Sequence, residues 1–131
     1  MTLMLDTDVC IELIRRRPPA LIAAITARAV GDVGISVVTL AELEYGVAKS
    51  SRPSANREAL ARFVAPLEVV PFDRAAAVVY GTLRAGLETK GQAIGSMDLM
   101  IAAHAVSLRV ELMTGNAREL GRVPGLRTRR H

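Results

Sequence analysis

The sequence predicts an α/β fold: a small central parallel sheet of four to five strands, flanked by helices on both faces. Three observations carry that expectation. Short, largely apolar runs of strand length recur at 2–5 (TLML), 33–38 (VGISVV), 68–72 (EVVPF) and 109–113 (RVELM). Between them lie helix-patterned stretches of ten or more residues, the alternation that builds βαβ units. The runs are short and largely apolar, as strands of a parallel sheet covered on both faces should be.

Each element has its own local reason. TLML ends at the polar DTD, and from Thr7 to about Arg16 the spacing of Val9, Ile11, Leu13 and Ile14 is helical. Arg15, Arg16 and Arg17 sit at that helix's C-terminal end, where the backbone dipole favours cations. Pro18-Pro19 stops the helix and opens the next, expected over Pro19–Ala29. Gly31-Asp32 reads as a turn into the second strand, followed by a helix over Thr39–Ala48. KSSRPSAN (49–56) is the most loop-like stretch. Helices are expected over Ser54–Ala65 and Asp73–Thr89 around the third strand, then GQAIGS as a loop into a helix from Met97 to about Leu108. After the fourth strand, TGNAREL turns back into helix, and the chain ends in the arginine-rich RTRRH.

Length and composition bound the function. At 131 residues the chain is expected to be one domain, 1–131, with a real core. Half the residues are hydrophobic but only 3% are aromatic, so that core must be built from Ala, Val, Leu and Ile. No uncharged apolar stretch reaches the roughly 18–20 residues that span a bilayer. The N-terminal MTLMLDTD lacks the basic leader and apolar length of a signal peptide. Cys10 is the lone cysteine, which excludes an internal disulfide and a zinc pair of cysteines. A cytoplasmic protein with no membrane contact is expected. The net charge is +4, and among the cations only Lys49 and Lys90 are lysines. Arginine's planar fork suits phosphate, and the clusters Arg15–Arg17 and Arg127, Arg129, Arg130 point toward nucleic acid, although a GC-rich genome would give the same Arg-for-Lys bias.

Three acids stand just past strand-like runs: Asp6 in LMLDTD, Glu42 in ISVVTLAELEYG and Asp98 in IGSMDLMIAAHA. Each has a plain structural explanation. Asp6 fits a helix N-cap, Thr39-x-x-Glu42 fits a capping box, and Asp98 fits a first helical turn. Together they ask for more. Ligand sites in open α/β folds gather outside the carboxyl ends of the strands. Asp98 shares a helical face with Ile101, Ala102 and Ala105, and a carboxylate buried on such a face needs a partner. No lysine or arginine lies in these blocks, so the gathered acids would repel one another without a cation. An oxygen-only set selects Mg²⁺, with Mn²⁺ able to substitute, over zinc. Asp8 is the alternative ligand nearest Asp6. Glu44, Glu58, Glu68, Glu88 and Glu111 read as surface charges, and His104 as a packed or surface histidine. A Ser-His-Asp triad lacks a G-x-S-x-G elbow, and GQAIG matches no nucleotide-binding glycine loop.

These blocks in this order, LMLDTD, TLAELEYG, IGSMDLMIAAHA, LMTGNAREL and VPGL, resemble a PIN-domain protein of the VapC type, the toxin of bacterial toxin–antitoxin modules. The likeness spans essentially the whole chain. It implies a PIN-like parallel sheet wrapped by helices, a Mg²⁺-dependent endoribonuclease, a cognate antitoxin as inhibitor, and a homodimer or toxin–antitoxin hetero-oligomer. By position, Asp6, Glu42 and Asp98 fall on the family's three main acids. The fourth position, often aspartate, is Asn116 here, with one negative charge fewer; Glu119, one helical turn on, is not expected to replace it. The resemblance implies Asp6 and Asp98 as metal ligands, Glu42 as a ligand that also positions or deprotonates the attacking water, and Asn116 as a water-mediated or substrate contact. Two rivals remain at this point: a PIN-like module that grips RNA or protein without cutting, and a metal-dependent phosphatase of small molecules. An apolar groove made by the first two helices (Val9–Ala29) and Thr39–Ala48 is expected to take a partner helix.

Overall fold

A computed structural model describes residues 1–130; His131 of the terminal RTRRH lies outside them. Five parallel strands form one sheet in the order β3-β2-β1-β4-β5: β1 Leu3–Leu5, β2 Val33–Ser36, β3 Glu68–Val70, β4 Glu111–Met113 and β5 Thr128–Arg129. The register sets Leu3 against Val33 on one side and Glu111 on the other. Seven helices connect the strands: α1 Thr7–Arg16, α2 Pro19–Thr26, α3 Val37–Ala48, α4 Pro53–Val64, α5 Arg74–Thr89, α6 Ser96–Leu108 and α7 Ala117–Leu120.

The central strand β1 divides the core. Leu3 and Leu5 face one cluster with Val9, Leu13, Ile35, Leu43 and Leu60, under α1 to α4. Met4, pointing the opposite way, joins Leu87, Leu99, Ile101, Ala102 and Leu112 under α5 and α6. All three β1 residues are completely buried, as a strand covered on both faces requires. Helix α6 is apolar almost all round, and Leu99, Ile101, Ala102, Ala103, His104 and Ala105 are buried in succession.

Chain ends of elements follow local chemistry. α1 stops at Arg17, whose left-handed φ of 48° closes the helix before Pro18. Pro19 and Pro53 each occupy a first helical turn, where a missing N–H costs nothing. Asp73 caps α5 by accepting from the Ala76 N–H at 3.0 Å. The parallel α/β architecture agrees with the sequence expectation; several boundaries differ. β2 ends at Ser36 and α3 begins at Val37, because Ser36 accepts the Val38 N–H at 3.0 Å and so caps the helix. The β-branched Val37-Val38 therefore continues into helix, not strand. α2 ends at Thr26, short of Ala29, and β5 is formed by the arginine-rich tail.

One glycine is fixed by space. A Cβ on Gly34 in β2 would lie 2.5 Å from the Glu68 carbonyl oxygen of the neighbouring strand and would also strike the Met1 side chain. Gly81, in α5, has open space at the same position. Gly34→Ala is expected to destabilise by ~1–3 kcal/mol through overpacking, whereas Gly81→Ala should stabilise by up to ~1 kcal/mol through helix propensity. Paired urea denaturations of the two variants check this contrast.

Candidate active site at the carboxyl edge of the sheet

Asp6 follows β1 directly. Its backbone N–H donates to the Met113 carbonyl at 3.1 Å, which fixes it in the seam between β1 and β4. The side chain is buried and accepts from the Val9 N–H at 2.9 Å, so it does cap α1 as its position suggested. The Thr114 hydroxyl, one residue past β4, donates to the same carboxylate. Burial raises the Asp6 carboxyl above its ordinary value. The bonds from Thr114 and Val9 oppose that rise, and the charges of Asp8 and Asp98 add to it.

Glu42 is half-buried on α3. The expected capping box is absent: Ser36 is the cap, Thr39 is buried, and Glu42 does not turn back to the Thr39 amide. Instead the Thr7 hydroxyl donates to Glu42 Oε1 at 2.6 Å, and it lies 3.4 Å from Thr39 Oγ1. Helix α1 thereby grips α3 at the site, and Glu42 Oε2 is left free of that bond.

Asp98 sits in the first turn of α6, after the cap position at Gly95. It is exposed, which corrects the expectation that it shares the buried face of Ile101, Ala102 and Ala105. The reason is position: in the first turn of α6 Leu99 takes the buried side, while Ser96, Met97 and Asp98 stay exposed. Its carboxyl is nonetheless raised, first by partial loss of hydration and then by the charges of Glu42, Asp8 and Glu119. Those couplings put five acids around one edge of the sheet, two more than the sequence reading selected.

Asn116 is half-buried between β4 and α7. Its backbone N–H donates to Thr114 Oγ1 at 2.9 Å, and its amide Nδ2 stands 3.5 Å from Glu119 Oε2. Glu119, which was not expected to contribute, is thus turned toward the cluster. Thr114 links both halves: it accepts from Asn116 and donates to Asp6. Neither Thr7 nor Thr114 stood out in the sequence, because each acts on a residue brought close only by the fold.

Among the described residues no ion pair engages the acids at this edge, although Arg15 and Lys49 line the same groove as Asp8 and Glu42. The ion pairs among the described residues, Arg28–Asp32, Arg57–Glu44, Arg84–Glu88 and Arg129–Glu111, engage none of the five acids. Glu44, Glu88 and Glu111 are the surface pairs that the sequence suggested. The tail arginines are partly committed to structure, since Arg127 donates to the Arg109 carbonyl at 2.7 Å. Among the described residues, no three His, Cys, Asp or Glu side chains stand close enough to hold a metal ion between them. The donor chemistry fits a hard divalent cation, all oxygen and uncompensated, but it is no ready-made protein cage. Mg²⁺ suits that arrangement, for it is commonly held by one or two carboxylates with water and substrate phosphate completing the shell.

Beside the acids a groove opens between α1, α3 and α4. Its lining includes the apolar Ile11, Ile14, Leu43 and Leu60 and the charged Asp8, Glu42, Arg15 and Lys49. A second depression lies between α1, α2 and α4, lined by Leu13, Ile22 and Phe63. In the first groove α1 and α3 serve as walls as expected, and α4 stands where the sequence suggests α2.

Comparison with known proteins agrees with this architecture. The PIN domain family matches residues 3–126. Ribonuclease VapC2 of Rickettsia felis is 39% identical over 96% of this chain and 95% of its own. The tRNA(fMet)-specific endonuclease VapC of Shigella flexneri is 42% identical over 95% of this chain and 94% of its own. Among solved structures, VapBC2 from Rickettsia felis bound to a promoter DNA fragment superimposes with a TM-score of 0.96 at 36% identity, covering 100% of this chain and 99% of that one. DNA-bound VapBC from Salmonella typhimurium does so with the same TM-score at 38% identity, over 99% and 98% of the two chains. With its fold and nearly its whole length matched in this way, the chain belongs to the PIN-domain family, on its VapC ribonuclease branch.

Proposed function

We propose that this protein is a Mg²⁺-dependent endoribonuclease, the toxin of a toxin–antitoxin pair, acting in the cytoplasm. The observation that carries the reading is the gathering of Asp6, Glu42 and Asp98, with Asp8 and Glu119, at one sheet edge, none of them held in an ion pair among the described side chains. Substrate follows from the VapC relatives, which are named as ribonucleases, and tRNA(fMet) is the first RNA to assay.

Asp6 and Asp98 would hold the metal, with Glu42 in reach of it, and Mn²⁺ would substitute. The bound cation would offset charge on the phosphodiester and ease ionisation of the attacking water. Glu42 has one oxygen occupied by Thr7, so its other oxygen is the acceptor that orients the water and takes its proton. The water oxygen would bond to phosphorus as the bond to the 3′ oxygen breaks, and the leaving 3′ oxygen would take a proton from solvent water, leaving 5′-phosphate and 3′-hydroxyl ends. Asn116 contacts substrate or a bridging water as a neutral amide. For the partner, the groove along α1, α3 and α4 suits an amphipathic helix of the antitoxin. A basic side chain of that helix, entering between Asp8 and Glu42, would supply the missing cation and block the site. The solved VapBC complexes support such a partner. Self-association into a dimer belongs to the same reading.

Purified, antitoxin-free protein should cleave RNA with Mg²⁺ and leave small phosphoesters untouched. Asp6→Asn and Asp98→Asn should each lower cleavage at least ~100-fold, about 2.7 kcal/mol of barrier; full activity of either variant in excess chelator would overturn the assignment.

Acidity gives an independent check. Asp6 and Asp98 titrate above their ordinary value in the fold, so any stability they contribute is present below the unfolded value and is lost as pH rises through the folded one. At neutral pH, without metal, their ionisation is a net cost. Asp98→Asn should therefore raise Tm at pH 7 in chelator, and the gap should close as the solution is acidified. Mg²⁺ should raise the Tm of the unmodified chain more than that of the variant, as thermal melts across pH and Mg²⁺ concentration will reveal.

Asn116 controls charge beside Glu119. Asn116→Asp should tighten metal binding in the RNA-free protein while lowering its metal-free Tm, since it sets a second carboxylate against Glu119. Asn116→Ala should reduce turnover less than Asp98→Asn does. Calorimetric Mn²⁺ titration of the three variants decides; unchanged affinity in Asn116→Asp would remove Asn116 from the site.

A further inference from the structure

His104 is the one histidine among the described residues, and it is almost completely buried in α6, two turns beyond Asp98. Its Nδ1 lies 2.8 Å from Ser36 Oγ. Ser36, also fully buried, is the residue that starts α3, and its Oγ already accepts the Val38 N–H. The imidazole packs edge-on against Phe72, with ring centres 5.3 Å apart. Its Nε2 is buried without a hydrogen-bond partner among the described side chains and backbone, although the Pro71 carbonyl lies near the ring. Burial holds the imidazole below its ordinary value, against the opposing pull of Asp73 and Pro71. Ser36 Oγ already accepts the Val38 N–H, so its own hydroxyl hydrogen is the one available for His104 Nδ1, with the ring proton then on Nε2. The chain Val38 N–H to Ser36 O–H to His104 Nδ1 then runs in one direction without conflict.

Ser36 stands six residues before Glu42 and His104 six residues after Asp98. No other side-chain hydrogen bond is described between α6 and either α3 or its cap. We propose that the Ser36–His104 hydrogen bond is the tie that fixes the Glu42 helix against the Asp98 helix, making His104 a positioning residue for the acid site. It acts from inside the core and touches neither RNA nor metal. A neutral acceptor at Nδ1 is what the tie needs, and a buried polar pair is kept in register by geometry because either partner alone would be left unsatisfied. This inference rests on the nuclease reading for its kinetic arm only; its structural arm needs no activity.

The experiment compares His104→Asn, His104→Gln, His104→Leu and Ser36→Ala in the full-length chain. An asparagine carbonyl reaches the position of Nδ1, whereas a glutamine amide reaches that of Nε2. Without metal, the carboxyl carbon signals of Glu42 and Asp98 should move in His104→Leu, His104→Gln and Ser36→Ala, and should return toward the original positions in His104→Asn. With RNA and Mg²⁺, the first three should lose about tenfold in kcat with little change in KM, and His104→Asn should recover most of it. The double variant Ser36→Ala/His104→Leu should be no worse in kcat than the poorer single variant. Unmoved carboxyl signals in Ser36→Ala overturn the tie, whatever the activity. Losses that merely follow Tm, with His104→Asn and His104→Gln alike, assign His104 to packing alone. If His104→Leu does not fold, Ser36→Ala against His104→Asn decides the question. Carboxyl signals that respond as described in a protein without RNA cleavage would preserve the tie and reject the nuclease reading.

Discussion

Opposing demands meet on Asp6. Its carboxylate must be ionised to accept the Val9 N–H and Thr114 hydroxyl firmly, yet it is buried and faces the charges of Asp8 and Asp98. The first demand builds the fold, because that carboxylate starts α1 at the end of the central strand. The second stores unfavourable charge at the same edge, where Glu42 and Glu119 press on Asp98 in turn. Burying an uncompensated acid is tolerated only where the surrounding structure is firm and a cation is expected. Here the firmness comes from strands buried on both faces, so that Leu3, Met4 and Leu5 anchor Asp6 from both core clusters.

Around that edge, hydroxyl groups do the arranging. Thr7 holds Glu42, Thr114 joins Asp6 to Asn116, and Ser36 begins the helix that carries Glu42. Each hydroxyl can give one hydrogen and accept others, so it can bridge groups that two carboxylates could not. The acids are left with unused lone pairs directed by neutral neighbours. Such a site binds charge without having its own charge cancelled, which is the property a metal-assisted hydrolase needs.

Much of this was legible beforehand. Apolar runs separated by helical stretches specify a parallel sheet, and acids immediately past such runs fall at its carboxyl edge. What escaped has physical causes. Val37 and Val38 read as strand because they are β-branched, but a serine cap overrides propensity. β5 has only two residues, Thr128 and Arg129, and no apolar pattern to betray it. Helix periodicity puts Asp98 on the face of Ile101, Ala102 and Ala105, whereas in the first turn of α6 only Leu99 is buried and Asp98 is exposed. Thr7, Thr114 and Glu119 gained their roles from neighbours supplied by tertiary structure, about which periodicity is silent. The same holds for Ser36 and His104, separated by 68 residues in the chain and 2.8 Å in space.

The site depends on carboxylates gathered at the sheet edge without ion-pair partners among the described residues. That dependence is tested most directly by following the carboxyl carbons of Asp6 and Asp98 by NMR through a pH titration, first in chelator and then with saturating Mg²⁺. Both groups should titrate above ordinary aspartate without metal, and both midpoints should fall when Mg²⁺ is present. Midpoints at the ordinary aspartate value that do not move with Mg²⁺ would contradict it.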